Sequence, residues 1–352
     1  MSTASLGAAP RVPANTVIVA GAVMVLLSLV WSSTRGAFAI GMADLGSVLQ
    51  AWLQGGEVQS PAELVLLHIR LPRLVLGLVA GAGLGFAGAL MQGLFRNPLA
   101  DPGLIGVSAG AALAAAGAIV VGAAWFPLAA KWLGSWYLIT SAFAGALLVT
   151  VCIYLLAQSE RGTRVGMMLL AGIAVNALAG AALGYLSFVA TDEQLRSLQF
   201  WMMGSLGGAR WGAVGLVATL VVLGVLVGMR LARPLDAMAL GEAQAVMLGV
   251  DVEQLKRRAV LLCALLVGAI TACTGMIGFV GLVAPHCVRM LAGPGHRVTL
   301  LGSALLGAVL VLLADSVART WVQPAELPLG VLTSFVGVPP FLALLYQMRG
   351  RV

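Results

Sequence analysis

Residues 70–110 read RLPRLVLGLVAGAGLGFAGALMQGLFRNPLADPGLIGVSAG. Arg70 and Arg73 open an apolar run rich in glycine, and Asn97-Pro98 closes it. Asp101-Pro102-Gly103 follows, and a second apolar run begins at once. Proline and the residue before it resist helical continuation, so the pattern describes two apolar helices joined by a tight, specified turn. Neither run alternates at every second residue, which sets helices against the strands of a membrane barrel.

The whole chain shares this character. Of its 352 residues, 61% are hydrophobic and 9% charged, with a mean hydropathy of +1.03. A soluble domain carries about 25% charged residues, so this is an all-α integral membrane protein. A spanning helix needs about 20 apolar residues. Helices are expected near 16–34, 62–95, 103–122, 136–158, 165–190, 210–230, 256–276, 278–291, 298–319 and 329–348, giving about ten passes in one domain, 1–352. The eighth run is short and contains Pro285, which predicts a partial crossing. A further short helix is expected near 195–206. The first apolar run resembles a signal peptide in length, but no clear cleavage motif follows, and it reads as a retained helix.

The net charge is +7. With ten passes and the N-terminus inside, thirteen of the twenty basic residues fall on cytoplasmic segments, as the positive-inside bias requires. Arg11, Arg96, Arg161, Arg289, Arg297 and Arg351 are among them. The seven outer exceptions are Arg35, Arg70, Arg73, Lys131, Arg196, Arg210 and Arg319. No compact basic tract with interleaved aromatics exists, which disfavours nucleic acid as a partner. The four cysteines, Cys152, Cys263, Cys273 and Cys287, all lie in apolar runs without metal or disulfide spacing and read as buried small residues.

Gly77, Gly81 and Gly85 recur every fourth residue and share one helix face, where small residues let backbones approach in lipid. Gly83-x-Gly85-x-x-Gly88 matches a dinucleotide fingerprint formally. That motif needs a strand before it and a helix after it; here it lies inside an apolar helix and reads as packing. No phosphate-binding loop exists, because neither of the two lysines, Lys131 and Lys256, follows glycine. If ATP drives this protein, another chain binds it. The charged loop 233–258 contains a short segment, Glu242 to Leu248, flanked by Gly241 and Gly249, which suit chain reversals. Asp251 and Gln254 have cap spacing for the next helix. The segment is either an ordinary connection or a short helix offered to a cytoplasmic partner.

Several strings resemble the FecCD-type permease family, the membrane subunits of ABC importers for haem, ferric siderophores and cobalamin. They are Arg70-Leu-Pro-Arg73, GLFRNPLADPGLIGVSAGA, LLAGIAVNAL from Leu169, FWMMGSLGG from Phe200, LGEAQAVMLGV from Leu240, GFVGLVAPHCVRMLAGPGHR from Gly278 and ADSVARTWVQPAELPLGVLTSFVGVPPFL from Ala314. The resemblance implies a BtuC-like type II ABC importer permease with ten helices per subunit and both termini cytoplasmic. It implies a homodimer in the bacterial inner membrane, two ATP-binding subunits and one periplasmic binding protein. It also implies that Arg70, Arg73 and Arg319 face the periplasm and receive carboxylates of the binding protein, a geometry suited to guanidinium. Interfacial snorkelling, or pairing of Arg319 with Asp315 four residues earlier, is the plainer alternative.

By the same resemblance, Leu240, Gly241, Glu242, Ala243, Leu248 and Gly249 belong to the segment that couples to the ATPase. The inner gate falls near Val165 and Gly166, where some relatives have small hydroxyl residues. TDEQLRSLQFWMMGSL, from Thr191, is most like the haem-uptake branch. There Arg196 could attract a propionate, and Met202, Met203 and His68 are candidates beside the path, with ordinary packing as the alternative. No permanently bound cofactor, catalytic residue or metal site is expected; haem is the transported substrate. An ion-coupled secondary transporter would need buried acids, and only Asp315 lies well inside an apolar run. An intramembrane enzyme would need paired groups such as His-Glu-x-x-His, and His68, His286 and His296 have no such spacing.

Overall fold

The structure is a computed structural model describing residues 12–36, 41, 46, 60–160, 162–322 and 325–349. Arg11, Arg161 and Arg351 lie outside the described residues. Among the described residues there are helices and turns but no strand. We number the principal helices α1 (Ala14–Thr34), α2 (Pro61–Phe95), α3 (Val107–Gly122), α4 (Trp136–Leu156), α5 (Val165–Val189), α6 (Asp192–Met203), α7 (Trp211–Gly228), α8 (Ala232–Ala239), α9 (Glu242–Met247), α10 (Val252–Thr274), α11 (Val280–Ala292), α12 (His296–Thr320) and α13 (Leu329–Arg349).

Seven helices are long and apolar enough to cross a bilayer by themselves: α1, α2, α4, α5, α7 (continuing through Ala239), α10 and α12. An eighth crossing is possible if α3 and the bent helix Pro127–Leu133 count as one. The short α11 has 13 residues with Pro285 inside it, as its sequence predicts. The predicted helix at 195–206 instead begins at Asp192, because Thr191 and Gln194 form a reciprocal capping box. The helix expected at 256–276 likewise starts at Val252, with the Asp251 side chain accepting from Gln254 N–H at 2.9 Å.

α2 is the axis of the bundle, and glycine is the reason neighbours can close on it from several sides. A Cβ on Gly81 or Gly85 would strike the backbone of Gly307 or Ser303 on α12. One on Gly88 would strike Gly281 O of α11, and one on Gly83 would meet Ile270 of α10 and Val221 of α7. The formal nucleotide fingerprint is therefore a set of helix-packing positions. Gly110 and Gly145 make a second reciprocal contact between α3 and α4. In lipid such approaches replace the hydrophobic drive that assembles soluble bundles.

The turn after α2 departs from its sequence reading. Arg96 closes the helix in the left-handed region, φ 51°. The chain then turns back into the bundle: a Cβ on Gly281 would sit 3.5 Å from both Gly88 Cα and Pro102 Cδ. Gly88 lies seven residues before the end of α2, so Pro102 has re-entered by about 10 Å. Asn176 of α5 donates to Gly103 O at 3.1 Å and braces this re-entry. A 3₁₀ turn, Pro102–Ile105, and Gly106 at φ 80° precede α3. The cysteines also differ from expectation: Cys263 is buried, Cys273 and Cys287 are intermediate, and Cys152 is exposed on α4.

Candidate functional site

The bundle has two polar ends. At one, α1 terminates beside the N-terminal part of α2 and the C-terminal part of α12. Arg73 donates through Nε and Nη2 to Asp315 Oδ1, at 3.0 and 2.9 Å, and through Nη1 and Nη2 to Glu326, both at 2.9 Å. Arg319 meets the other oxygen of Asp315 at 3.0 Å and donates to the Ser32 and Arg35 carbonyls. Arg70 donates to Ser33 O at 2.5 Å.

The three arginines expected at an outer docking face are thus 4%, 7% and 7% exposed and partnered within the chain. They are not presented as open charges. Burial of a guanidinium demands such partners, and the i, i+4 pairing of Asp315 with Arg319 is realised. Glu326, in the segment before α13, retains 46% side-chain exposure. Its hydrogen bonds from Arg73 hold its carboxyl below the ordinary value of 4.5, against an opposing effect of partial burial.

Between the ends lies a cavity of about 950 Å³. Met202, Met203, Met276, Phe279 and Phe335 make most of its wall apolar, and Asp101, Ser108 and Ser334 supply hydroxyl and carboxyl groups. One margin of it is a backbone knot in which Ser205 N–H donates to Thr274 O at 2.7 Å and Leu329 N–H to Gly204 O at 3.0 Å. Gly204 and Gly275 have φ of 71° and 69° there, conformations that glycine adopts without a steric penalty. Phe279 is one of two non-glycine residues with positive φ, 64°, among the described residues.

Sequence reasoning found Met202 and Met203 but missed Met276, Phe279 and Asp101. Asp101 reads as a loop cap, and its side chain does accept from Gly103 N–H at 2.7 Å; only the re-entry of the loop carries it to the cavity wall. The other expected path residues do not gather here. Arg196 and His68 are exposed, and Val165 and Gly166 lie at the opposite end of α5 from α6, about 36 Å along its 25 residues.

The second polar end carries α8, α9 and the start of α5. α9 runs between Gly241 (φ 126°) and Gly249 (φ 80°), so of the two readings left open for this segment the short helix is the one observed. It buries Ala245 and presents Val246, Met247 and Leu248 outward beside Leu240, with Met247 87% exposed. Asp236 of α8 accepts from His296 N–H at 2.9 Å and contacts its ring Nδ1 at 2.7 Å. No group of three or more histidine, cysteine or acidic side chains is placed to hold a metal among the described residues.

An apolar helical bundle with a chamber between two polar ends, and with a short exposed helix projecting from one of them, is the architecture of a membrane transport permease. The chain belongs to the FecCD transport family, whose model matches residues 22–347. It is 42% identical to the hemin transport system permease protein of Yersinia pestis over 313 residues, 88% of this chain and 92% of that one. It is 38% identical to the cobalamin import system permease of Halobacterium salinarum (84% and 76%) and 39% identical to the vitamin B12 import system permease of Salmonella typhi (85% and 89%). The solved inward-facing structure of a metal-chelate type ABC transporter superposes with a TM-score of 0.82 at 29% identity, covering 95% of this chain and 99% of that one. The chain is accordingly an ABC importer permease, with the BtuC-like fold read from its sequence.

Proposed function

We propose that this permease carries haem from the periplasm to the cytoplasm of a bacterium. The observation that carries this reading is the 42% identity to a hemin permease across 88% of the chain. The cavity supports it: about 950 Å³ lies within the range of about 300–1,000 Å³ usual for small-molecule sites, and methionine and phenylalanine walls suit a flat apolar macrocycle. A path should hold its cargo weakly enough to release it, which accords with methionine thioethers in place of strong ligands. The cobalamin permeases among its relatives make a corrinoid the second reading.

The working assembly is a homodimer with two ATP-binding subunits and one periplasmic binding protein, in the inner membrane, with ten passes and both termini cytoplasmic. ATP is bound by the partner subunits. α9 and its flanks, from Leu240 to Gly249, seat the ATP-binding subunit, and Val165 and Gly166 form the inner gate. The apolar face of α5, with Leu170, Ile173 and Leu178 exposed, turns toward the second copy and the path, and Arg196 attracts a cargo carboxylate at the outer mouth. His68 stands at the same rim. Arg70, Arg73 and Arg319 receive the binding protein's carboxylates. Because Arg73 already holds Glu326, docking there exchanges one carboxylate for another.

The test is transport by the complete complex in proteoliposomes loaded with ATP. Haem is expected to accumulate inside, with ferric siderophore and cobalamin moving far more slowly. Uptake of cobalamin or a siderophore without haem would overturn the cargo and leave the family membership intact.

A further inference from the structure

Thr163, two residues before α5, is held at every hydrogen-bonding group it has. Its N–H donates to Glu253 Oε2 at 2.8 Å, its hydroxyl donates to Glu253 Oε1, and its carbonyl accepts from Lys256 Nζ at 2.7 Å. Glu253 and Lys256 are three residues apart on α10 and therefore neighbours on its surface. Tyr154 of α4 donates to the same Glu253 carboxylate at 2.8 Å. The Lys256 ammonium also donates to Glu242 Oε2 on α9 at 2.8 Å; its side chain is 4% exposed against 42% for Glu242.

One buried ammonium thus joins two segments that are otherwise only loosely connected. α9 is bounded by glycines at positive φ and buries a single side chain, Ala245, so the packing of its own residues ties it weakly to the bundle. The entrance to α5 is short irregular chain. Burial makes the ammonium costly unless it is partnered, and its partners here are one carboxylate from α9 and one carbonyl from the entrance to α5. A displacement of α9 that draws Glu242 away leaves the Lys256 ammonium hydrogen-bonded to the Thr163 carbonyl alone, with the nearby Glu253 carboxylate as its remaining counter-charge, and shifts its pull on the α5 entrance.

We propose that Lys256 is a positioning residue for energy coupling, transmitting movement of α9 to the inner end of α5 through Glu242 and Thr163. The inference rests on the reading of α9 as the seat of the ATP-binding subunit. A purely structural lysine would lower yield, ATP hydrolysis and transport together when replaced. A coupling lysine lowers the cargo moved per ATP while hydrolysis continues.

The experiment measures both quantities in the complete complex for wild type, Lys256→Met and Glu242→Gln. Cargo moved per ATP is expected to fall by about 2- to 30-fold in Lys256→Met, and less in Glu242→Gln, whose amide oxygen still accepts from the ammonium. If Lys256→Met does not fold, amine labelling of wild type decides the matter, because Lys131 and Lys256 are the only lysines and exposed Lys131 serves as the internal control. Lys256 labelling is expected to rise in the ATP-bound complex over the nucleotide-free one. Unchanged cargo per ATP in the variants that fold, or equal Lys256 labelling in both nucleotide states, overturns the inference. Retention of the ATP-binding subunit by Met247→Asp would instead remove the reading of α9, and the inference with it.

Discussion

A carboxylate between two buried guanidiniums is held from both sides, and Asp315 is such a group. It is 2% exposed, with Arg73 reaching both of its oxygens and Arg319 meeting Oδ2. Removing one member of a buried ion cluster costs about 3–5 kcal/mol, because the remaining charge loses its partner. Asp315→Asn is therefore expected to lower the thermal midpoint in detergent steeply, whereas Arg35→Gln, which removes only an exposed cation stacked on Trp31, changes it little. Glu326 gives a pH signature. Its folded carboxyl titrates below its ordinary value of 4.5, so its stabilisation is complete above that value and is lost as pH falls through the lowered one. The stability difference between wild type and Glu326→Gln is expected to be flat from pH 7 to about 5 and to shrink below about 4.5. Half-exposure and salt screening keep the effect small. At this scale the sequence identified the actors, Arg70, Arg73, Arg319 and Asp315, since intramembrane charges stand out. It did not identify Glu326 as Arg73's partner, because the two lie 253 residues apart and only tertiary structure brings them together.

Helices meet here through absent side chains. Gly85 and Gly88 lie against backbone atoms of α12 and α11, and backbone cannot yield as a side-chain tip can. Gly85→Val and Gly88→Val are expected to cost at least about 1–3 kcal/mol each, the usual penalty for overpacking, seen as loss of folded protein in size-exclusion profiles. Gly180→Ala is expected to leave the single chain's stability unchanged or slightly raised, since an added Cβ there meets nothing within 4 Å and alanine favours helix. The four-residue spacing of Gly77, Gly81 and Gly85 was readable as a packing face; which helix closes on it was not. The cap spacing of Asp251 and Gln254 marks the start of α10, yet the apolar run places that start four residues late, at 256, just as it places the start of α6 at 195 and not after the Thr191 cap, because the first turn of each helix is polar. The re-entry after Pro98 left no periodic signal, because an extended stretch of loop looks alike on the surface and inside.

Considered whole, the molecule gathers its ion pairs at its ends and leaves the middle mostly to methionine, phenylalanine, glycine and aliphatic side chains, with Asp101, Ser108 and Ser334 the polar groups on the cavity wall. One end is locked by ion pairs; the other exposes apolar residues on α9 that no part of the described chain covers. Met247→Asp combined with Leu248→Asp is expected to reduce co-purification of the ATP-binding subunit by at least about tenfold, since charge placed in a desolvated contact typically costs more than the 1.4 kcal/mol that a factor of ten represents. Wild-type recovery of the partner with that double variant would exclude α9 as its seat. Hydropathy conveyed the membrane class and the approximate helix order, but short or broken elements such as α3 and α11 cannot be counted as full crossings from apolar runs alone.

Cys152, exposed near the end of α4, gives the chain a built-in reporter position. It sits two residues from Tyr154, and successive alternate positions on a helix point to nearly opposite sides. A lipophilic spin label attached there would face away from the Tyr154 hydroxyl and the carboxylate it serves. Cys263 is buried and Cys273 and Cys287 are partly covered, which favours modification at this one thiol. In the homodimer proposed above, paired electron resonance between two such labels would read the separation of the two copies directly. Its change between nucleotide states would follow the movement of α4 without an engineered cysteine.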